Sequence, residues 1–364
     1  MNMHLAINAS ELGRGRGGNE TFIGGLISGL GSLPSPPVTT LLSCGSKVGL
    51  PLPSTFRLVH LGPYRRLHFF LYQQTAALRQ MEADWYLSNY YLPPALPCKG
   101  AVVVHDLSFR AHPEWFPRGV AWYMRWLTWW AVRRAELVLT VSEFSRRELL
   151  RFYPGVEHKV AIVANGVGPE FRARDEAISH DADQERLYRY GVVSPYILAV
   201  GNIHPRKNLT RLLDAYVALQ ETSRSVPSMV WVGVPRWGTD NLLKRAHDLG
   251  VTLTGFVAQE DLPSFYRQAT MLVYPSLYEG FGLPPVEAMA CGTPVVASNL
   301  TSLPEVVGEA ALTVDPTDPQ ALAGSMGRLL DDARLRETLS EAGTEHARRY
   351  TWTGSAQQLL AALG

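Results

Sequence analysis

The chain is poor in cysteine, in net charge and in long apolar runs, and each shortage closes off a class of protein. Its three cysteines, Cys44, Cys98 and Cys291, are odd in number and far apart. Neither a disulfide framework nor a zinc site fits that pattern, which suits a reducing compartment. The 34 Lys and Arg nearly cancel the 33 Asp and Glu, leaving a net charge of +1. No domain-wide basic excess exists, so nucleic acid is not expected as a partner. No run of about 18 apolar residues offers a membrane span. Residues 1–10 lack the charged start and long apolar core of a signal peptide, which makes a cytoplasmic location the expectation. What is present is 46% apolar and 18% charged residues over 364 positions. That length is too great for one ordinary core and sufficient for two α/β domains.

The most informative stretch is Ser276 to Ala290, SLYEGFGLPPVEAMA. The apolar run before it, Met271 to Tyr274, predicts a buried strand that stops at Pro275. Glu279 and Glu287 then stand on either side of two glycines and two prolines. Pro284 and Pro285 suit the first turn of a helix, where a missing amide hydrogen is not felt. The amides of Gly282 and Leu283 would point out of that helix's positive end, which favours an anion such as phosphate. Glu287 is expected on the first turn, within reach of a ligand hydroxyl, with Glu279 on the preceding loop. A strand, an acidic loop, an anion-ready helix start and a second acid together suggest a sugar-nucleotide site. Two solvated carboxylates on an ordinary turn are the bland alternative.

Around this stretch the chain alternates strand and helix twice over. The first half reads as strands near Met3–Asn8, Val38–Leu42, Phe56–His60, Asp84–Ser88, Ala101–His105 and Leu137–Val141, with helices near Asn19–Leu30, Arg66–Met81 and Gly119–Ala135. Ser142 is placed to cap the next helix, with Glu143 in its first turn. Residues from about Gly166 to Pro195 are charged and without clear period, as an interdomain linker and hinge would be. The second half restarts with strands at Tyr196–Val200, Met229–Val232, Val251–Leu253, Met271–Tyr274, Pro294–Ala297 and Ala311–Val314, separated and followed by helices. Short links between alternating elements argue for parallel sheets with helices on both faces. In such folds ligands bind at the carboxyl ends of the strands.

Other candidates sit at strand ends. Gly201-Asn202-Ile203-His204-Pro205-Arg206-Lys207-Asn208-Leu209 brings two cations to a helix start, where they compensate a diphosphate better than they support the helix. Gly13, Gly15, Gly17 and Gly18 interleave with Arg14 and Arg16 after the first strand, without the spacing of a Walker loop or a dinucleotide fingerprint. This loop either approaches a phosphate or sugar closely or is a flexible turn. His105-Asp106 ends the buried strand Ala101–Val104; His105 either faces a ligand or bonds to backbone. Gly255-Phe256-Val257 could flank a planar base. Asp181-Ala182-Asp183 has the look of a metal pair, but its place in the charged stretch predicts a solvated loop, and no metal is assigned.

Together these motifs resemble those of the family 4 retaining glycosyltransferases, over nearly the whole chain and most closely from Tyr196 to Pro316. Gly201 to Leu209 is similar to the family's phosphate-binding turn and Glu279 to Glu287 to its paired acids. Gly292-Thr293-Pro294-Val295-Val296 and Ser302-Leu303-Pro304-Glu305-Val306 match the segments that follow. Val104-His105-Asp106-Leu107 and Val141-Ser142-Glu143-Phe144-Ser145 match the N-terminal half. The resemblance implies an α/β fold of two Rossmann-like doubly wound domains facing across a cleft, termed GT-B. The boundaries would be 1–170 (acceptor side), a linker over 171–195, 196–349 (nucleotide-sugar binding) and 350–364, a helix returning to the first domain.

The resemblance also implies an activity: transfer of a glucose- or mannose-type hexose from UDP- or GDP-hexose to a saccharide or lipid-linked saccharide, with retention, in polysaccharide or glycoconjugate synthesis. No cofactor or metal is expected. His105, Arg206, Lys207 and Glu279 would act on the reacting sugar and diphosphate. Gly17, Gly18, Asn202, Phe256, Val257, Phe281, Gly282, Leu283 and Glu287 would bind the donor. Many members carry an arginine where this chain has Asn202, which would leave either Arg206 or a residue elsewhere to share the phosphate charge with Lys207. A non-hydrolysing-type NDP-sugar epimerase and a non-catalytic nucleotide-sugar-binding subunit remain open alternatives.

One segment points elsewhere. Trp122, Tyr123, Trp126, Trp129 and Trp130 crowd a helix with Arg125, Arg133 and Arg134, while Tyr64, Arg65, Arg66, Phe69 and Phe70 lie earlier in the same half. Such residues suit peripheral contact with a membrane, at its inner face for a cytoplasmic protein. At helical spacing, however, Trp122, Trp126, Trp129 and Arg133 form one stripe, which would equally pack on the sheet.

Overall fold

The computed structural model describes residues 3–13, 17–44, 52–62, 65–175, 178–223, 225–235 and 239–364. Arg14, Gly15, Arg16 and Tyr64, singled out above, lie outside the described residues. The chain divides into two compact units, Met1–Gly166 with Tyr350–Gly364, and Val167–Arg349.

The first unit is built on β1 (His4–Asn8), β2 (Val38–Ser43), β3 (Phe56–His60), β4 (Trp85–Asn89), β5 (Lys99–Val103), β6 (Leu137–Thr140) and β7 (Val160–Ile162). They form one parallel sheet in the order β3-β2-β1-β4-β5-β6-β7. The second unit carries β8 (Tyr196–Val200), β9 (Ser228–Val232), β10 (Thr252–Gly255), β11 (Met271–Tyr274), β12 (Val295–Ser298) and β13 (Leu312–Val314). These are again all parallel, in the order β10-β9-β8-β11-β12-β13. Continuous apolar strands such as Val102-Val103 and Leu272-Val273 are buried on both faces, as parallel strands covered by helices must be. In each sheet the strand order reverses at one place, between β1 and β4 and between β8 and β11. Such a switch point opens a crevice at the carboxyl ends.

The last helix, Trp352–Leu363, packs in the first unit against the helix Gly18–Gly31. Two glycines permit this approach: a Cβ on Gly25 would lie 2.0 Å from the Trp352 ring, and one on Gly29 2.0 Å from the Trp352 carbonyl oxygen.

Two expectations need correction. Asp183 is not in a solvated loop. It lies on the helix His180–Tyr188, fully buried, while Asp181 is exposed. Arg267 grips it from Nε at 2.8 Å and Nη2 at 2.6 Å, and Ser264 donates at 2.7 Å. The partners come from a helix more than 70 residues away, so sequence neighbours gave no sign of them. Burial alone would raise the Asp183 pKa, but Arg267 and Ser264 hold it below the usual carboxylate range. The stretch expected as a linker is thereby pinned to the second unit. Asp183→Ala should cost roughly 3–5 kcal/mol, because Arg267 is left buried without its partner. Urea denaturation would check this, and a loss near zero would remove the pair from the account.

The tryptophan stripe does not pack on the sheet. In the helix Arg118–Arg134 the buried side is Ala121, Leu127, Thr128, Ala131 and Val132, while Trp122, Trp126 and Trp129 are 69%, 46% and 40% exposed. Small and aliphatic side chains let the helix sit close over β5 and β6, leaving the bulky rings and the charged arginines on the side that water reaches.

Candidate active site

At the switch point of the second sheet, the loops after β8 and β11 are tied together. Gly201 leaves β8 with φ of 129°, a conformation open to glycine, and Lys207 Cε would lie 3.0 Å from any Cβ there. His204 accepts the Arg206 amide through Nδ1 at 3.3 Å and starts the short turn Pro205–Lys207. The Leu277 amide donates to the Arg206 carbonyl at 2.8 Å, joining the two loops by backbone alone.

The side chains meet on Glu279. Lys207 Nζ is 2.6 Å from its Oε1, and Arg206 Nη1 is 3.5 Å from its Oε2. Tyr274, the last residue of β11, donates to the same Oε1 at 3.1 Å, is hydrogen-bonded to Lys207, and lies under that ammonium at 4.4 Å from the ring centroid. Lys207 and Glu279 are both buried. Burial by itself would raise the Glu279 pKa; the charges of Arg206 and then Lys207 override it and bring it down to about 2. The carboxylate is therefore ionised, and it holds one buried cation, Lys207, and one partly exposed cation, Arg206.

The loop beyond Glu279 is fixed by residues 20 positions on. Thr301 Oγ1 accepts the Glu279 amide at 3.2 Å, and Ser302 Oγ donates to the carbonyls of Glu279 and Phe281 at 2.9 Å each. Gly282 caps the helix Leu283–Ala290 with φ of 104°, and Leu303 Cδ2 would lie 2.5 Å from its Cβ. The first amides of that helix leave its positive end as anticipated.

Glu287 departs from expectation. The helix begins at Leu283, so Glu287 lies beyond the first turn, and its side chain is buried. Tyr266 donates to its Oε2 at 2.7 Å. Burial pushes its pKa up to about 7, the Tyr266 hydrogen bond opposes this, and the negative charge of Glu170 adds to the rise. The paired acids of the motif are thus electrostatic opposites.

Phe256 and Val257 follow β10. Gly255 O accepts the Gly233 amide at 2.9 Å, and Gly233 in turn sits against Gly201, where a Cβ would lie 2.1 Å from the Gly201 oxygen. The ends of β8, β9 and β10 are thereby drawn together. Val257 is buried and Phe256 is 65% exposed. Asn202 is half-buried beside Gly201.

In the first unit, Gly17 (φ 78°) and Gly18 open the helix Gly18–Gly31, and Phe22 on that helix meets the His105 ring edge-on at 4.8 Å. His105, just past β5, is buried and 3.0 Å through Nε2 from Asn89 Oδ1. Asn89 directs its amide nitrogen to Glu11 Oε2 at 3.3 Å, so its oxygen accepts and His105 Nε2 donates. Burial lowers the His105 pKa to about 4, against the opposing charge of Asp106, and the ring is neutral near pH 7. The structure thus brings Gly17, Gly18 and His105 together in one unit. It brings Asn202, Arg206, Lys207, Glu279 and Gly282 together in the other.

Sequence reasoning missed Tyr274, Tyr266, Asn89 and Thr301. Tyr274 and Asn89 end strands, the place where a polar group in a buried run is a signal.

The two parallel sheets with their helices agree with comparisons to known proteins. Residues 34–171 match the model described as Glycosyltransferase Family 4, and residues 192–346 that of Glycosyl transferases group 1. The O-antigen chain mannosyltransferase B of Escherichia coli is 35% identical over 82% of this chain and 78% of its own length. The chain belongs to glycosyltransferase family 4. The serotype-specific mannosyltransferase WbdA of Escherichia coli is 31% identical over 72% of this chain, which spans only 33% of that protein. Among solved structures, sucrose-phosphate synthase of Thermosynechococcus elongatus superposes with a TM-score of 0.77 at 20% identity, covering 99% of this chain and 98% of the other. WaaG, described as a glycosyltransferase involved in lipopolysaccharide biosynthesis, gives 0.75 at 16% identity over 98% of each chain. The glycosyltransferase therefore has the GT-B fold of two parallel-sheet α/β domains. No described helix is long and apolar enough to cross a membrane.

Proposed function

We propose that this glycosyltransferase moves mannose from GDP-mannose to a hydroxyl of a saccharide or lipid-linked saccharide, with retention at the anomeric carbon and without a metal. The observation that carries the reading is the pair of cations held on buried Glu279 beside a helix start, in a chain whose relatives of 30% identity and more include mannosyltransferases. In the reaction the acceptor oxygen bonds to the anomeric carbon as the bond from that carbon to the diphosphate breaks. The leaving diphosphate keeps the electron pair, and the acceptor's proton passes to it. Lys207 and Arg206 stabilise the charge that grows there, with the amides of Phe281, Gly282 and Leu283 on the distal phosphate. Glu279 orients Lys207 and meets sugar hydroxyls. Glu287 holds the ribose hydroxyls, Asn202 and Val257 line the nucleotide, and Phe256 lies against its base. His105, neutral, contacts the donor sugar, and Gly17 and Gly18 approach its phosphates. A lipid-linked acceptor would bring the protein to the inner face of the membrane.

The test is incubation with GDP-mannose, UDP-glucose or UDP-galactose and a lipid-linked saccharide, in EDTA, with the product's anomeric configuration read by NMR. An α-mannoside formed only with acceptor present supports the reading. Sugar epimerisation without acceptor, an inverted product, or loss of activity in EDTA overturns the corresponding part.

A further inference from the structure

The helix Arg118–Arg134 carries an aromatic and basic row that the active site does not use. Arg118, Trp122, Arg125, Trp126, Trp129 and Arg133 follow each other at helical spacing along one side and are all exposed. Three rings and three guanidinium groups are interspersed along it, and Arg133 lies over the Trp129 ring at 5.2 Å. The helix has four arginines and no carboxylate in its 17 residues. The next acid along the chain, Glu136, is turned to the Gly100 amide at 2.6 Å.

The surroundings extend this side. Leu67, Leu71 and Tyr72, on the helical stretch 66–81, are also exposed. Ala77 and Leu78 of that stretch share a hydrophobic cluster with Ala131 and Val132, so both helices cover the same face of the first unit's sheet. Among the described residues of that unit, the large exposed hydrophobics are Val38 and seven others, and all seven lie on these two helices. An apolar concentration of this kind, confined to one side, marks an interaction surface.

We propose that this side lies on an anionic lipid bilayer, with Trp122, Trp126 and Trp129 seated among the headgroups and Arg118, Arg125 and Arg133 on lipid phosphates. Tryptophan prefers the boundary between headgroup and hydrocarbon, arginine extends its charge along an apolar stem, and an uncompensated row of cations selects an anionic surface. The inference deepens the reading of a lipid-linked acceptor but uses neither donor nor acceptor, so its test stands apart from that of transfer.

The experiment is flotation of the full chain with vesicles of phosphatidylcholine alone or mixed with phosphatidylglycerol, at low and high salt. Binding is expected to the mixed vesicles and to weaken at high salt. Removing the charge of Arg118, Arg125 and Arg133 with glutamine should weaken it on the order of fivefold per arginine. Trp122→Ser, Trp126→Ser and Trp129→Ser together should reduce it at least about tenfold. Unchanged melting temperatures and unchanged GDP thermal shifts identify folded variants, and the arginine set decides if the tryptophan set does not fold. No binding at low salt, equal binding to phosphatidylcholine alone, or variants that bind like the parent overturn the proposal. So does a wild-type dimer that the tryptophan set dissolves while vesicles go unbound, which would assign the surface to a second copy.

Discussion

Lys207→Ala is expected to lower kcat for sugar transfer by about 10²–10³-fold while the donor KM changes far less. The reason is where its charge sits. Lys207 is buried, and its ammonium is placed by Glu279 at 2.6 Å and by the Tyr274 ring and hydroxyl. In our reading the negative charge it meets is larger in the transition state than in the bound donor, so the loss falls on turnover. The same substitution leaves Glu279 with Arg206 at 3.5 Å, and part of the roughly 3–5 kcal/mol for breaking a buried pair should appear as lost stability. Lys207→Met combined with Glu279→Gln separates the two effects: it removes both charges, so stability should return while kcat stays low. Steady-state kinetics and urea denaturation read the two quantities. A folded Lys207→Ala protein with near-normal kcat would sink the assignment of the cation.

Glu287→Gln should make the protein more stable at pH 8 and bind donor more weakly. The Glu287 carboxyl has its pKa raised from 4.5 to about 7 by burial. The folded state therefore holds a proton that the unfolded state has released, and stability falls as pH rises from about 4.5 through about 7. Above that window the penalty is fully present, on the order of 3 kcal/mol at about 1.4 kcal/mol per unit of pKa. Glutamine keeps an oxygen for the Tyr266 hydroxyl and carries no charge, so the gain should appear at pH 8 and vanish near pH 4. Glu279 behaves in the opposite sense: its pKa is lowered from 4.5 to about 2, so its contribution is present above about 4.5 and is lost as pH falls toward 2. Donor affinity in Glu287→Gln should drop roughly 10–100-fold, the worth of a hydrogen bond from a ribose hydroxyl to a charged group. Thermal melts at two pH values and calorimetric titration with GDP test both halves. A variant that is less stable at pH 8, with unchanged GDP affinity, would contradict the role given to this acid.

Much of the architecture was legible in local pattern because parallel strands buried on both faces are continuous apolar runs. Met271–Tyr274 and Tyr196–Val200 are observed with the bounds their composition indicated. Ser142 caps its helix by accepting the Ser145 amide at 3.0 Å, as a serine at that place should. Strand β7, three half-buried residues at a sheet edge, is too short to show a pattern. The chemistry-bearing residue types were legible for a similar reason: glycines, prolines and charges collected where strands stop, and the sheet topology carries strand ends to one edge.

What the sequence by itself determined is therefore the double α/β alternation, the loops that carry the site, and the presence there of two acids and two cations. Tertiary structure alone decided their states. Glu279 is ionised because Arg206 and Lys207 arrive from a loop more than 70 residues earlier, while Glu287, eight positions away, meets Tyr266 and burial and holds its proton more tightly. Asp183 is buried because Arg267 folds over it, and the tryptophan row faces outward because alanine and valine on the opposite side fit the sheet. Helical period shows which side chains share a side; which side turns inward depends on the volume and charge of whatever it must pack against.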